Sequence, residues 1–292
     1  MNKSVSPLAN PPVKQSSEFK IGVLLIKSGK ITADDAREVV ALSKTDGLLF
    51  GDAAVKLGLV TNADIQEVLA KQFDYTHLVE SSNFSPHLIS AFHPNSPEAE
   101  FIRGLRTQLS LDWFKDEKNK TLAISSINEG SGNSRFIANL AISFSQLGKK
   151  TILIDANLRN PTQHTIFDLN LQQRGLSDIL IARAGLEAIH NIHAISKLSL
   201  LPSGAVPPNP QELVSGSAFK EVITFLHEIF DIILIDTPAF SVGADAQAIA
   251  ASAGGVFLVA RKNITRTADM NKVAKTLVSN GTQVVGSVIT DF

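Results

Sequence analysis

The rhythm of apolar and polar positions divides the chain in two. Over the first part the apolar positions recur at helical spacing, and the stretch repeats itself. Ile21-Gly22 returns as Phe50-Gly51, Lys27 as Lys56, Ile31-Thr32 as Val60-Thr61, Asp35 as Asp64 and Val40 as Leu69; Gly29 returns as Gly58, an offset of 29 residues. Each unit reads as a short apolar helix, a glycine turn, a threonine N-cap and a second helix. Gly29 and Gly58 suit the left-handed position that ends a helix. The hydroxyls of Thr32 and Thr61 can accept an orphan N–H of the helix that follows. A small all-α tandem-repeat domain is therefore expected over residues 19–80. A flexible tail is expected at 1–18 and a linker at 81–97, where Pro86, Pro94 and Pro97 fall.

From Glu98 the rhythm changes. After a candidate helix over Glu98–Phe114, short apolar runs alternate with amphipathic stretches. The runs are Leu122–Ser125, Thr151–Ile154, Leu198–Leu201, Ile232–Ile235, Val256–Val259 and Val284–Ile289. Helices are predicted at Arg135–Leu147, Ser217–Ile229 and Thr267–Ser279. The alternation predicts an α/β fold over 98–292, a mostly parallel sheet with helices on both faces.

Composition narrows the chemistry. The chain has 292 residues, 27 Lys plus Arg, 28 Asp plus Glu and a formal net charge of -1. That balance gives no global case for nucleic acid as a partner. The absence of cysteine removes disulfides, thiolate catalysis and Cys-based zinc sites. His190 and His193 have no third ligand and read as a surface pair. No apolar run reaches the length of a membrane span, and the first residues lack an apolar signal region. A cytoplasmic protein is expected, peripheral at the inner membrane only through a partner. Sixteen Phe stand against one Tyr, Tyr75.

Candidate chemistry gathers where three predicted strands end. Leu122–Ser125 runs into Asn128-Glu129-Gly130-Ser131-Gly132-Asn133-Ser134, and Arg135 opens a helix. A glycine-bearing loop between strand and helix can aim backbone N–H groups at phosphates. A dinucleotide fingerprint would need glycine where Arg135 stands. Asp155 and Asp236 close two further buried strands, so both face the crevice that the loop faces. There they could hold Mg²⁺, directly or through water, with Ser134 as a third ligand.

These segments resemble those of the bacterial tyrosine autokinases of exopolysaccharide synthesis, the chain-length-determinant tyrosine kinase family. That family's Asp-Leu-Arg-x-Pro segment stands here as Asn157-Leu158-Arg159-Asn160-Pro161, followed by His164 and Phe167. Gly175-Leu176-Ser177, Pro202-Ser203-Gly204, Pro207-Pro208-Asn209-Pro210-Gln211-Glu212-Leu213 and Asp236-Thr237-Pro238 with Asp245 match its other motifs. Its Glu-x-x-Arg-x-x-Arg helix is Glu100, Arg103 and Arg106. The resemblance covers Glu98–Phe292 and implies a P-loop fold. It also implies a nucleotide site at Glu129, Gly130, Ser131, Gly132, Asn133, Ser134 and Arg135, binding ATP or ADP with Mg²⁺. It places catalysis at Asp155, Asn157 and Asp236, and ring assembly through Glu100, Arg103 and Arg106.

Three departures bear on phosphoryl transfer. The loop lysine that would offset transferring charge is Asn133. The second aspartate after the Asp155 strand is Asn157, which cannot take a proton. The C-terminal tyrosine cluster is missing, the chain closing on Thr290-Asp291-Phe292. The resemblance therefore implies a degenerate member, its nucleotide binding weakened and its kinase activity weak or lost. It would partner the cytoplasmic tail of a membrane polysaccharide co-polymerase, as a homo-oligomeric ring or with an active paralogue.

Three alternatives remain. One is an active autokinase in which Arg135 or a neighbouring subunit replaces the lysine. Another is a partitioning or division-site ATPase, whose signature lysine would stand at Asn128. The tandem repeat is similar to the N-terminal domain of type II secretion ATPases, some of which bind cyclic-di-GMP through an Arg-Leu-Gly motif. Here those positions read Lys20-Ile21-Gly22 and Leu49-Phe50-Gly51. Loss of the arginine favours protein docking over cyclic-di-GMP, and a signalling adaptor is the non-enzyme alternative.

Overall fold

The computed structural model describes residues 14–65, 68, 83–170 and 174–291. The chain divides into two compact units, 1–75 and 76–292. Tyr75 and most of the stretch read as a tail lie outside the described residues.

In the first unit, α1 (Lys14–Lys27), α2 (Ala33–Asp46) and α3 (Phe50–Lys56) are followed by further helical residues at 62–65. α1 begins inside the stretch read as a flexible tail; beyond Pro12 no proline or glycine interrupts the helix until Gly22. The repeat is visible in the core. Ile31 and Val60 are both buried, as are Val39 and Val68, each pair at the same offset. Gly29 and Gly58 have φ of 70° and 68°. Thr32 Oγ1 accepts from the Asp35 N–H at 3.1 Å, and Asp35 Oδ2 accepts from the Thr32 N–H at 2.8 Å. Thr61 and Asp64 repeat this reciprocal cap.

The second unit carries the α/β fold. The stretch read as a linker is folded from residue 83 onward. It contains α4 (Ile89–Phe92), which packs on α6 (Asn133–Gln146) with Leu88 and Ala91 buried. Amides on α6 hold it: Asn139 accepts from the Ser90 N–H and donates to the His87 carbonyl, and Gln146 donates to the Ser90 carbonyl. Proline punctuation marks the turns here, and buried apolar residues between them supply the packing. α5 (Pro97–Asp112) starts at an Ser96 N-cap.

The sheet comprises β1 (Thr121–Ser126), β2 (Thr151–Asp155), β3 (His190–Asn191), β4 (Leu198–Leu201), β5 (Ile232–Asp236), β6 (Gly255–Arg261) and β7 (Gln283–Thr290). Their order is β3-β4-β2-β5-β1-β6-β7, with every pair parallel except β3 with β4. The connections hold α7 (Gln163–Ile166), α8 (Leu176–Leu180), α9 (Pro210–Ser215), α10 (Ser217–Ile229), α11 (Asp245–Ala253) and α12 (Thr267–Ser279). Each central strand is buried along its length, and β2 and β5 carry unbroken apolar runs up to their terminal aspartates.

Alternation along the strands decides where polar ends point. Ile152 and Ile154 belong to the core on one face, and Leu153 to the core on the other, which α6 covers. Asp155 follows with Leu153's parity, and Asp236 with that of Ile232 and Leu234. Asp155 is also the register partner of Asp236. Both carboxylates therefore stand side by side beneath α6.

Candidate functional site

The loop from β1 to α6 is built on two left-handed glycines, Gly130 (φ 71°) and Gly132 (φ 73°). Three of its carbonyls are engaged by side chains. The Ser131 hydroxyl donates to the Asn128 carbonyl at 2.7 Å, Arg261 Nη1 donates to the Gly130 carbonyl at 2.8 Å, and Thr290 Oγ1 donates to the Ser131 carbonyl at 3.2 Å. With those carbonyls engaged, the loop has its N–H groups and the α6 N-terminus to offer to the space in front.

That space is a cavity of about 580 Å³. All seven predicted loop residues, Glu129 through Arg135, line it, together with Asn157. Asp155 and Asp236 are not on its wall. They lie beneath it, each without solvent exposure.

Every oxygen of this acidic pair is engaged. Asp155 Oδ2 accepts from the N–H groups of Thr162 (3.0 Å) and Gln163 (2.9 Å), and Oδ1 from that of Asn157 (3.2 Å). Asp236 Oδ1 accepts from Asn133 Nδ2 at 2.8 Å, and Oδ2 from Gln163 Nε2 at 2.6 Å. Burial, and then the charge of Asp236, push the Asp155 carboxyl above its ordinary range. Burial also raises Asp236, against the donors of Gln163, Ser134 and Asn133. Two carboxyls so close and so dry hold on to a proton that free aspartates would release.

Asn133 is turned inward. Its amide donates to Asp236 and, at 3.0 Å, to the Ile124 carbonyl of β1. A cation expected to reach phosphate is thus replaced by a short amide that caps the carboxylate below. Asn157 closes its own turn, donating to the Asn160 carbonyl and accepting from the Asn160 N–H. Gln163 escaped the sequence reading. Its only signal is a polar residue at the start of a short helix, and its role depends on β5 lying beside β2.

Other predicted motifs converge. Arg159 forms an ion pair with the buried Asp245, with Nε and Nη2 each 3.1 Å from Oδ2. Gly175-Leu176-Ser177 lies against Pro202-Ser203-Gly204, where the Leu176 N–H donates to the Pro202 carbonyl at 2.8 Å. A Cβ on Gly175 would sit 2.1 Å from the Gly204 nitrogen, so only glycine fits this crossing. Glu100, Arg103 and Arg106 share α5, away from the loop. Arg103 pairs with Glu100 and also donates to the Pro94 carbonyl, and Arg106 Nη1 donates to the Ser143 carbonyl. Among the described residues no group of three or more His, Cys, Asp or Glu is placed to hold a metal ion.

Magnesium needs hard oxygen ligands in near-octahedral array. The acidic pair offers none to the cavity: its four oxygens accept protein donors, and Asn133 and Ser134, whose side chains both reach Asp236, line the cavity above it. The arrangement does not fit direct ligation of Mg²⁺ by Asp155 and Asp236.

A family profile described as "AAA domain" matches residues 119–280. The tyrosine-protein kinase CpsD of Streptococcus agalactiae is 34% identical over 190 residues, 65% of this chain and 82% of that protein. Among solved structures, the chimerical protein CapA2B2 superposes with a TM-score of 0.66 at 30% identity, covering 77% of this chain and 98% of the other. The septum site-determining protein MinD of Pyrococcus horikoshii, complexed with Mg-ADP, superposes with a TM-score of 0.50 at 26% identity, covering 58% and 69%.

Proposed function

The chain belongs to the bacterial tyrosine-protein kinase family, and on that premise we propose that it acts in exopolysaccharide synthesis as a nucleotide-binding partner of a membrane polysaccharide co-polymerase, with phosphoryl transfer weak or lost. The observation that carries this reading is the direction of Asn133. Transfer of a γ-phosphoryl group is catalysed mainly by positioning and by charges aimed at the developing negative charge. At position 133 the loop brings no charge, and its amide is committed to Asp236 and Ile124. Asn157 supplies no base at the turn beyond β2.

Binding asks for less. The backbone N–H groups of the loop, the N-terminus of α6 and the arginines on the wall suit a phosphate chain. The fold's likeness to a protein complexed with Mg-ADP supports a nucleotide as the ligand.

Among the described residues no helix is long and apolar enough to cross a membrane. In this reading the chain reaches the membrane by docking on its partner. Assembly with further copies, or with an active paralogue, would use the face of α5 that carries Glu100, Arg103 and Arg106.

Incubation of the purified chain with radiolabelled ATP and Mg²⁺ tests the reading. The expected result is no tyrosine phosphate above background. Robust labelling of tyrosine would establish an active autokinase instead.

A further inference from the structure

We propose that the cavity takes the phosphates of a nucleoside diphosphate without a divalent cation, the guanidinium of Arg261 supplying charge that the loop residue does not. The inference rests on the nucleotide reading above and deepens it.

Three observations carry it. The first is the sealing of the acidic pair. All four carboxylate oxygens of Asp155 and Asp236 accept hydrogen bonds from protein donors, and both residues are fully buried. A cation bound directly to the pair would have to displace the side-chain amides of Asn133 and Gln163, or the backbone donors behind them, which leaves only the Ser134 hydroxyl on the cavity wall as a ligand from the predicted set. Each displaced amide would lose a hydrogen bond to a charged group inside a buried site.

The second is the charge of the wall. Of the residues lining the cavity, three are arginines and one, Glu129, is acidic. Arg159 is neutralised by Asp245 at 3.1 Å. Arg261, half-buried at the end of β6, has the Gly130 carbonyl as its hydrogen-bond acceptor and forms no ion pair among the described residues. Arg135 is exposed at the first turn of α6. A wall of this sign attracts a polyphosphate and repels a hydrated dication.

The third is the contact itself. Arg261 Nη1 is 2.8 Å from the carbonyl of a loop glycine, so the guanidinium already stands at the phosphate loop. Its other N–H donors remain for a ligand, because a guanidinium has five in a fixed fork.

The test is calorimetric titration of the full chain with ADP, once in EDTA and once in excess Mg²⁺. Binding in EDTA, with Mg²⁺ tightening it no more than threefold, is expected. Tightening beyond threefold overturns the proposal and leaves the nucleotide reading standing. No heat in either buffer overturns both. The Arg261→Gln variant, its fold checked by near-ultraviolet circular dichroism, is expected to bind ADP at least tenfold more weakly in EDTA. Unchanged affinity in a folded variant removes Arg261 from the site. Electron paramagnetic resonance of Mn²⁺ gives an independent reading. With ADP present, the protein is expected to raise the free Mn²⁺ signal above the level that ADP alone sets, because ADP bound without a cation is withdrawn from its Mn²⁺ complex; a protein-dependent loss of that signal overturns the proposal.

Discussion

Asn133 sits where the backbone turns from loop to helix, and its length decides what it reaches. An asparagine amide spans the distance to Asp236 and the Ile124 carbonyl and goes no further. A lysine there has four methylenes and a charge that can extend past the carboxylate. Asn133→Lys is therefore expected to tighten ATP binding about tenfold or more, since a hydrogen bond to a charged group is worth about 1.5–3 kcal/mol. Calorimetry of the variant beside the parent checks this, and unchanged affinity would mean the new side chain stays folded onto Asp236. Arg159 poses the opposite problem, because its partner Asp245 is buried. Removing the arginine alone strands that carboxylate. Arg159→Ala is expected to cost about 2 kcal/mol in urea unfolding, and adding Asp245→Asn is expected to restore part of it. A full additive loss in the double variant would show that the pair is not coupled.

Among elements, the short α4 shows how polar side chains fix packing. Four residues cannot hold a helix by themselves. Asn139 and Gln146 of α6 clamp its start, while Leu88 and Ala91 bury apolar surface. Asn139→Ala leaves the Ser90 N–H and the His87 carbonyl without their partner. It is expected to destabilise the α/β unit by about 1–3 kcal/mol, read as a shift of the urea midpoint. The strands and longer helices of this unit are legible in sequence because their apolar runs are long and their periods clean. Ser217–Ile229 and Thr267–Ser279 match the expected bounds at both ends. The short helices α4, α7, α8 and α9 lack enough turns to show a period. Their place is set by contacts distant in sequence.

Across the whole second unit, the acidic pair couples protonation to folding. In the unfolded chain each aspartate ionises near its ordinary value of 3.8. In the folded chain burial and mutual repulsion keep the pair protonated to higher pH. The native state thus binds more protons than the unfolded one above that value, and stability falls as pH rises from about 4 toward neutrality. Urea midpoints measured across that range are expected to decline, and Asp155→Asn is expected to flatten the decline. A midpoint that rises with pH would contradict the assignment. Glu100, Arg103 and Arg106 also belong to this scale. Their helical spacing is plain in sequence, whereas the bonds of Arg103 to Pro94 and of Arg106 to Ser143 come from the packing of α5 on its own unit.

Sequence alone determined the two-part organisation, the repeat with its threonine caps, the β–α alternation and the glycine loop with an asparagine in place of lysine. These are local properties: hydrophobic period, turn chemistry and residue identity act within a few residues. The tertiary structure decided what the local signals cannot. It set Asp155 beside Asp236 through strand register, brought Gln163 across to seal them, and swung Arg261 from β6 to the loop carbonyl. Those choices depend on strand order and on side-chain reach across chain separations that no local pattern encodes. The same lone asparagine that reads in sequence as a missing charge is, in the folded molecule, the cap on a buried carboxylate.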